Sequence, residues 1–347
     1  MLIVNGLKVH FPIFGGILNR TIGHVRAVDG VSFEVMKGET LGVVGESGCG
    51  KSTLARLLMQ LIDADAGEII FDGDTVGETS GISAREMRRL MQMVFQDSYS
   101  SLNPRMPVEA SVAYGLTVHG ETPESAKVAA RELLNKVGLD PELFGPRYPH
   151  ELSGGQKQRV NIARALVLDP RVVILDEAVS ALDKSVEAQV LNLLKSLKEE
   201  LNLTYVFISH DLNVVQYVSD RVLVMYLGEV VELGPVDDIY ADPKHPYTAA
   251  LLASRLSMDP QDRIEEPPIV GDPPNPISPP SGCRFRTRCR FAEDVCTTTP
   301  PRLLTVDDAG AHLAACHRYD PESGFINIAP SRPLNGGADA NAALAAR

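Results

Sequence analysis

The segment GESGCGKS, Gly45 to Ser52, constrains this chain more than any other eight residues. It follows the short apolar run LGVV, Leu41 to Val44, and precedes Leu54, Leu57, Leu58 and Leu61, which recur at helical spacing. A strand that breaks into a glycine-rich loop and resumes as a helix is the context in which G-x-x-x-x-G-K-[ST] cradles phosphate. Gly45, Gly48 and Gly50 let the backbone curl so that its N–H groups face inward, with Glu46, Ser47 and Cys49 between them. The helix opening near Lys51 and running through Thr53 adds its positive dipole end. In such a loop Lys51 is expected to reach the β- and γ-phosphates, and the Ser52 hydroxyl to ligate Mg²⁺. The four fixed positions coincide by chance in on the order of one chain in a hundred, and the strand–loop–helix context lowers that further. Cys49 reads as a small loop residue with no cysteine near it in sequence.

The loop sits in a chain whose first 240 or so residues alternate short β-rich runs with helical patterns, the mark of an α/β core with a largely parallel sheet. RVVILD (Arg171 to Asp176) and TYVFISH (Thr204 to His210) read as buried strands ending in polar residues, where α/β folds place their chemistry. Between Asp97 and Leu166 the pattern turns helical, with Ala126 to Val137 the clearest helix, and is expected to form a helical subdomain. The proline-rich DPPNPISPPSG (Asp272 to Gly282) breaks regular structure. The expected organisation is an α/β domain over 1–255, a small cysteine-containing extension over 256–330, and a tail over 331–347 with too few large apolar residues to fold.

A net charge of −12 argues against a general nucleic-acid binder, because phosphate affinity needs basic surface. No stretch approaches the ~18 apolar residues of a membrane-spanning helix. MLIVNGLKVHF lacks the pattern of a secretory signal, so a cytoplasmic protein is expected, any membrane role coming through partners.

LSGGQKQR (Leu152 to Arg159) is the most discriminating segment. Ser153 can cap the helix that follows, and Gly154 and Gly155 leave its first N–H groups uncovered, giving a second anion-binding surface. A chance match to the five residues Leu152 to Gln156 is expected in well under about one chain in a thousand. Together with the phosphate loop, this segment resembles the ATP-binding cassette of ABC proteins. The resemblance implies a P-loop NTPase (ABC ATPase) core in which two cassettes pair head to tail, each signature segment closing over ATP held by the other. It further implies that Gln96, in FQD, contacts Mg²⁺ and the attacking water beside the membrane subunits. Asp176 matches the Mg²⁺-organising carboxylate, Glu177 the residue that polarises water, His210 the switch histidine, and Asp183, in SALD, the loop at the dimer seam. Phe11 matches the aromatic that stacks on adenine. The chemistry supports these roles independently: phosphoryl transfer needs charge neutralisation and an oriented nucleophile, and adjacent carboxylates at a strand end can serve metal and water separately. Ala178 stands where the family usually has a proline that stiffens the turn, and activity is expected to survive.

SSLNPRM, HPYTAALL (His245 to Leu252) and NPISPPSGCRFRTRC resemble the ATP-binding subunits of oligopeptide/dipeptide importers, and the likeness extends to about residue 320. It implies two transmembrane permeases, an extracytoplasmic substrate-binding protein, a second ATPase subunit, identical or paralogous, and a peripheral place on the cytoplasmic face of the inner membrane. Relatives in the same family carry nickel, glutathione, opines or oligosaccharides. A soluble ABC ATPase acting on DNA or ribosomes is a different class, disfavoured by the acidic balance and the absence of a second cassette. An iron–sulfur sensor with a vestigial ATPase is a third, disfavoured by the intact catalytic set.

Cys283, Cys289, Cys296 and Cys316 are spaced C-x5-C-x6-C-x19-C. Four thiolates suit tetrahedral zinc or an iron–sulfur cluster, and the absence of paired C-x2-C knuckles favours the latter. Four reduced thiols are the remaining reading. The importer resemblance also implies a 4Fe–4S cluster. Arg284, Arg286, Arg288 and Arg290 interleave with the first two cysteines and are expected to offset negative charge there. A bound cluster would staple the extension rather than perform redox chemistry.

Overall fold

The computed structural model describes residues 1–15, 19–77, 81–97, 100–254, 271–307 and 309–326, so the expected tail over 331–347 lies outside the described residues. The chain forms two compact units that interleave along the sequence. The first takes Met1–Leu7, Ser32–Val43 and Ser52–Asp220; the second takes Lys8–Val31, Val44–Lys51 and the described residues from Arg221 onward.

In the first unit, the strands Thr40–Val44, Thr204–Ile208, Val172–Asp176 and Met91–Val94 lie side by side in that order, with all three pairings parallel. The first three are buried along their whole length, as parallel strands covered on both faces must be, and this is why they read as unbroken apolar runs. Parallel pairing aligns the strand ends, so Asp176 and Ile208 pair directly and the polar residues that follow each emerge together. A second sheet takes the order Arg20–Val35, Leu2–Gly15, Ala66–Phe71 and Asp74–Thr75.

The regular elements described between Asp97 and Leu166 are all helical. Pro123–Lys136 begins where the Thr122 side chain accepts the Ser125 N–H and proline occupies the first turn, a position needing no N–H. It buries Ala126, Ala130 and Leu134, one stripe at four-residue spacing. This helix and Val108–Val118 pack against Gly154–Leu166, which carries the signature residues at its start. The helix Lys184–Leu201 buries Val190, Leu191, Leu194 and Leu197 and stops at Asn202, whose left-handed backbone (φ 51°) ends the ladder.

In the second unit Arg221–Tyr226 and Glu229–Pro235 form a hairpin across Leu227 and Gly228, both at positive φ (44° and 83°), as a two-residue hairpin turn requires. Leu313–Ala314 joins the edge of Glu229–Pro235 and pairs in turn with Leu304–Thr305, all antiparallel. Tyr226, Tyr247 and Phe285 meet at centroid distances of 4.6, 5.3 and 5.4 Å and form an aromatic centre. Glu232 is fully buried; its carboxylate accepts the N–H groups of Lys244 (2.7 Å) and His245 (2.9 Å) and lies 2.7 Å from His312 Nε2. A charge taken out of water persists only with such partners.

Candidate functional site

The phosphate loop belongs to the second unit as far as Lys51. Lys51 is nearly inaccessible, and its ammonium donates to the carbonyls of Gly45 (2.7 Å) and Glu46 (3.0 Å), which holds the positive charge inside the curl of the loop. Gly50 has φ 107°, and a Cβ there would come 2.1 Å from the Ala27 carbonyl oxygen, so glycine is required by both conformation and space. The Glu46 N–H donates to the Tyr247 hydroxyl (2.8 Å), while the Glu46 carboxylate takes a forked pair of bonds from Arg288 (2.7 and 3.0 Å). Ser47 is exposed, and Thr53 is half-buried one turn into the helix Lys51–Leu58. Cys49 is buried, and burial pushes its thiol above the usual range, in keeping with a small packed residue. Phe11 lies on Leu2–Gly15 with 40% of its surface exposed.

In the first unit the Ser52 hydroxyl donates to Asp176 Oδ1 (3.1 Å), at the buried end of Val172–Asp176. A hydroxyl and one carboxylate are the protein share of a Mg²⁺ site whose other ligands are waters and substrate phosphates. The next residue, Glu177, has φ 47°, and its N–H donates to the Ile208 carbonyl (2.9 Å). This left-handed kink, unusual for a residue with a Cβ, turns the side chain away from the strand line. Its carboxylate accepts Gln96 Nε2 (2.7 Å) and lies 3.5 Å from His210 Nδ1. Thus Gln96, Glu177 and His210, from three strand ends, are brought together. Ala178, the next residue after Glu177, is buried.

Gln96 also borders a cavity of about 660 Å³ lined by Ser52, Arg56, Tyr114, Arg164 and Asp176 among others. Phe95 and Tyr114, both exposed, belong to this lining and were not singled out from the sequence. At the signature segment, Leu152 is buried and Ser153 forms a reciprocal cap with Gln156: Ser153 N–H to Gln156 Oε1 (2.9 Å), and Gln156 N–H to Ser153 Oγ (3.3 Å). Gly154 and Gly155 are the first two helical residues. Asp183 is exposed and precedes Lys184–Leu201 without using its side chain to cap it.

A family model described as ABC transporter matches residues 28–180, and one described as oligopeptide/dipeptide transporter, C-terminal region, matches residues 231–296. The oligopeptide transport ATP-binding protein AppF of Bacillus subtilis is 47% identical over 90% of this chain and 95% of its own length. The probable peptide ABC transporter ATP-binding protein y4tS of Sinorhizobium fredii is 48% identical over 95% of this chain and 93% of its own. The chain belongs to the ABC transporter ATP-binding subunits. Among solved structures, the dimeric post-hydrolysis state of the ATP-binding cassette MJ0796 bound to ADP and Pi aligns with a TM-score of 0.59 at 28% identity, over 68% of this chain and 99% of that one. That of cbiO1 from Clostridium perfringens, part of the transporter complex cbiONQ, aligns with 0.59 at 30% identity, over 70% and 90%.

In this ABC subunit the four C-terminal cysteines converge. Cys283, Cys289, Cys296 and Cys316 line one cavity of about 20 Å³, walled by Phe285, Phe291 and Phe325. Burial first, and the neighbouring thiols with it, push Cys283 and Cys316 up to about 12 against backbone N–H bonds that lower them, and burial raises Cys289 as well. Among the described residues no group of three or more His, Cys, Asp or Glu side chains is placed to hold a metal ion. The interleaved arginines do not all serve this site, which corrects the sequence expectation. Arg284 pairs with Asp29 and Glu229, and Arg288 with Glu46; the cations beside Cys289 are Arg318 and Arg290. The alternation CRFRTRCR flagged the arginines, but their partners lie more than 200 residues away for Glu46 and Asp29.

Proposed function

We propose that this ABC subunit is the ATP-hydrolysing motor of an importer for oligopeptides or dipeptides, working from the cytoplasmic face of the cell membrane. The observation that carries the reading is the convergence of Gln96, Glu177 and His210 beside the Ser52–Asp176 pair, on a chain that also carries the oligopeptide/dipeptide transporter C-terminal region. Lys51 balances phosphate charge from within the loop, and Phe11 offers its ring to adenine. Ser52 and Asp176, with Gln96 beside them, would hold Mg²⁺, which would neutralise charge at the phosphate oxygens. Glu177 orients the attacking water as a hydrogen-bond acceptor, while Gln96 and His210 fix its carboxylate. Leu152 to Gln156 present a capped, uncovered helix start to the triphosphate of a second cassette, identical or paralogous, across a seam that includes Asp183.

Peptide cargo rests on what the relatives are named for, the B. subtilis and S. fredii proteins both being peptide transport subunits. Among the described residues no helix is long and apolar enough to cross a membrane, so passage of cargo belongs to two permeases fed by an extracytoplasmic binding protein. The exposed Phe95 and Tyr114, beside Gln96, are where permease contact is expected. Affinity purification from gently solubilised membranes is expected to recover two permeases and a peptide-binding protein. Recovery of nucleic acid or ribosomes instead would sink the importer assignment, and a binding protein selective for nickel, opine or sugar would redirect the cargo.

At the four cysteines we infer an iron–sulfur cluster rather than zinc, because the four thiols share one lining and their C-x5-C-x6-C-x19-C spacing lacks the paired C-x2-C knuckles common in zinc sites. The lining offers four thiols among aromatic walls and no carboxylate. Anaerobically purified protein is expected to contain iron and acid-labile sulfide, and Cys283→Ser to lose both. Stoichiometric zinc without iron, or no metal at all, would overturn the assignment.

A further inference from the structure

Arg288 lies in the turn between Cys283 and Cys289, which is closed by the Arg288 N–H on the Phe285 carbonyl (2.9 Å) and the Arg286 N–H on the Cys283 carbonyl (3.1 Å). Its side chain is only 6% exposed and leaves the cysteine cavity entirely for the phosphate loop, where it forks onto both oxygens of Glu46. The Tyr226 hydroxyl lies 3.4 Å from the same guanidinium. Glu46 is thereby held at three points: its N–H by Tyr247, its carbonyl by Lys51 and its carboxylate by Arg288. Arg284, four residues earlier in the same turn, pairs with Asp29 and with the Leu227 carbonyl, close to the Ala27 carbonyl that crowds Gly50. One short turn therefore grips the phosphate loop and the strand behind it.

The charge arithmetic gives the contact a purpose. A carboxylate at the second position of a loop that must accept a triphosphate repels its own ligand unless it is neutralised, and partial burial weakens screening by water. A forked arginine cancels that charge and fixes its direction, which an ammonium cannot do. We propose that Arg288 is a positioning residue for nucleotide binding: it neutralises and pins Glu46, so that the C-terminal turn sets the affinity of the phosphate loop for ATP. This rests on the reading of Gly45 to Ser52 as the ATP site, which ATP binding by the unaltered subunit tests separately.

The experiment uses the full chain, with Mg-ATP binding followed by a fluorescent ATP analogue and steady-state hydrolysis measured alongside. Arg288→Ala is expected to raise the KM for ATP about 10-fold and to change kcat by less than about 3-fold, the signature of lost binding rather than lost chemistry. Adding Glu46→Gln to Arg288→Ala is expected to bring KM back to within about 3-fold of the unaltered protein, because the offending charge is gone. A merely structural role for Arg288 predicts no such rescue. An unchanged KM in folded Arg288→Ala, or a KM that Glu46→Gln fails to restore, overturns the proposal. Should the alanine variant not fold, Arg288→Lys carries the same test: a rise of about 3-fold, removed by Glu46→Gln, against no rise at all.

Discussion

Glu177→Gln is expected to lower ATP turnover by about 10²- to 10³-fold while leaving nucleotide bound. The substitution keeps size and shape and removes the negative charge. The carboxylate now accepts from Gln96 at 2.7 Å and faces His210 at 3.5 Å, so its oxygens are already directed by two neighbours when water arrives. An amide in its place still fills the site but is a poor acceptor for the water's proton, so hydrolysis fails after binding has succeeded. Phosphate release gives the rate, and gel filtration with and without ATP gives the assembly: the variant is expected to elute as an ATP-dependent dimer that persists. Turnover within about 3-fold of the unaltered subunit would remove Glu177 from the reaction.

The second large effect concerns the phosphate loop itself. Gly50→Ala is expected to weaken ATP binding by about 100-fold or more, because a Cβ at 2.1 Å from the Ala27 oxygen cannot be accommodated without moving backbone. Gly48→Ala is the internal comparison. It shares a positive φ of 78°, but nothing lies within 4 Å of its would-be Cβ, so only conformational strain of about 1–2 kcal/mol opposes it. Isothermal titration of both variants with Mg-ATP separates crowding from strain. Equal losses at the two positions, or Gly50→Ala binding as tightly as the unaltered loop, would refute the steric account.

What the sequence could disclose followed local physics. RVVILD and TYVFISH were legible as strands because full burial leaves an unbroken apolar run, and the structure buries every residue of Val172–Asp176 and Thr204–Ile208. The helix expected at Ala126 to Val137 runs Pro123–Lys136, its true start marked by the Thr122 cap and the proline after it. Strand-end position and chemistry pointed to Glu177 and His210, but the roles of Gln96, Glu177 and His210 came through resemblance, since their meeting depends on the order of parallel strands. Cysteine spacing revealed clustering but not separation, and so left zinc and iron–sulfur open. The partners of Arg284 and Arg288 were out of reach, because a contact spanning 242 residues leaves no trace in the alternation CRFRTRCR.

The burial of Glu232 has a bearing on how small such a subunit can be made. His312, which meets it, comes 80 residues later in the chain, between Cys296 and Cys316 and just before the short strand Leu313–Ala314. A cassette trimmed before residue 312 would keep the acid and discard its imidazole, and leaving a buried polar group short of a partner typically costs about 1–3 kcal/mol. The region after the hairpin is therefore no detachable appendix: shortening the protein there would weaken the half that bears the nucleotide loop.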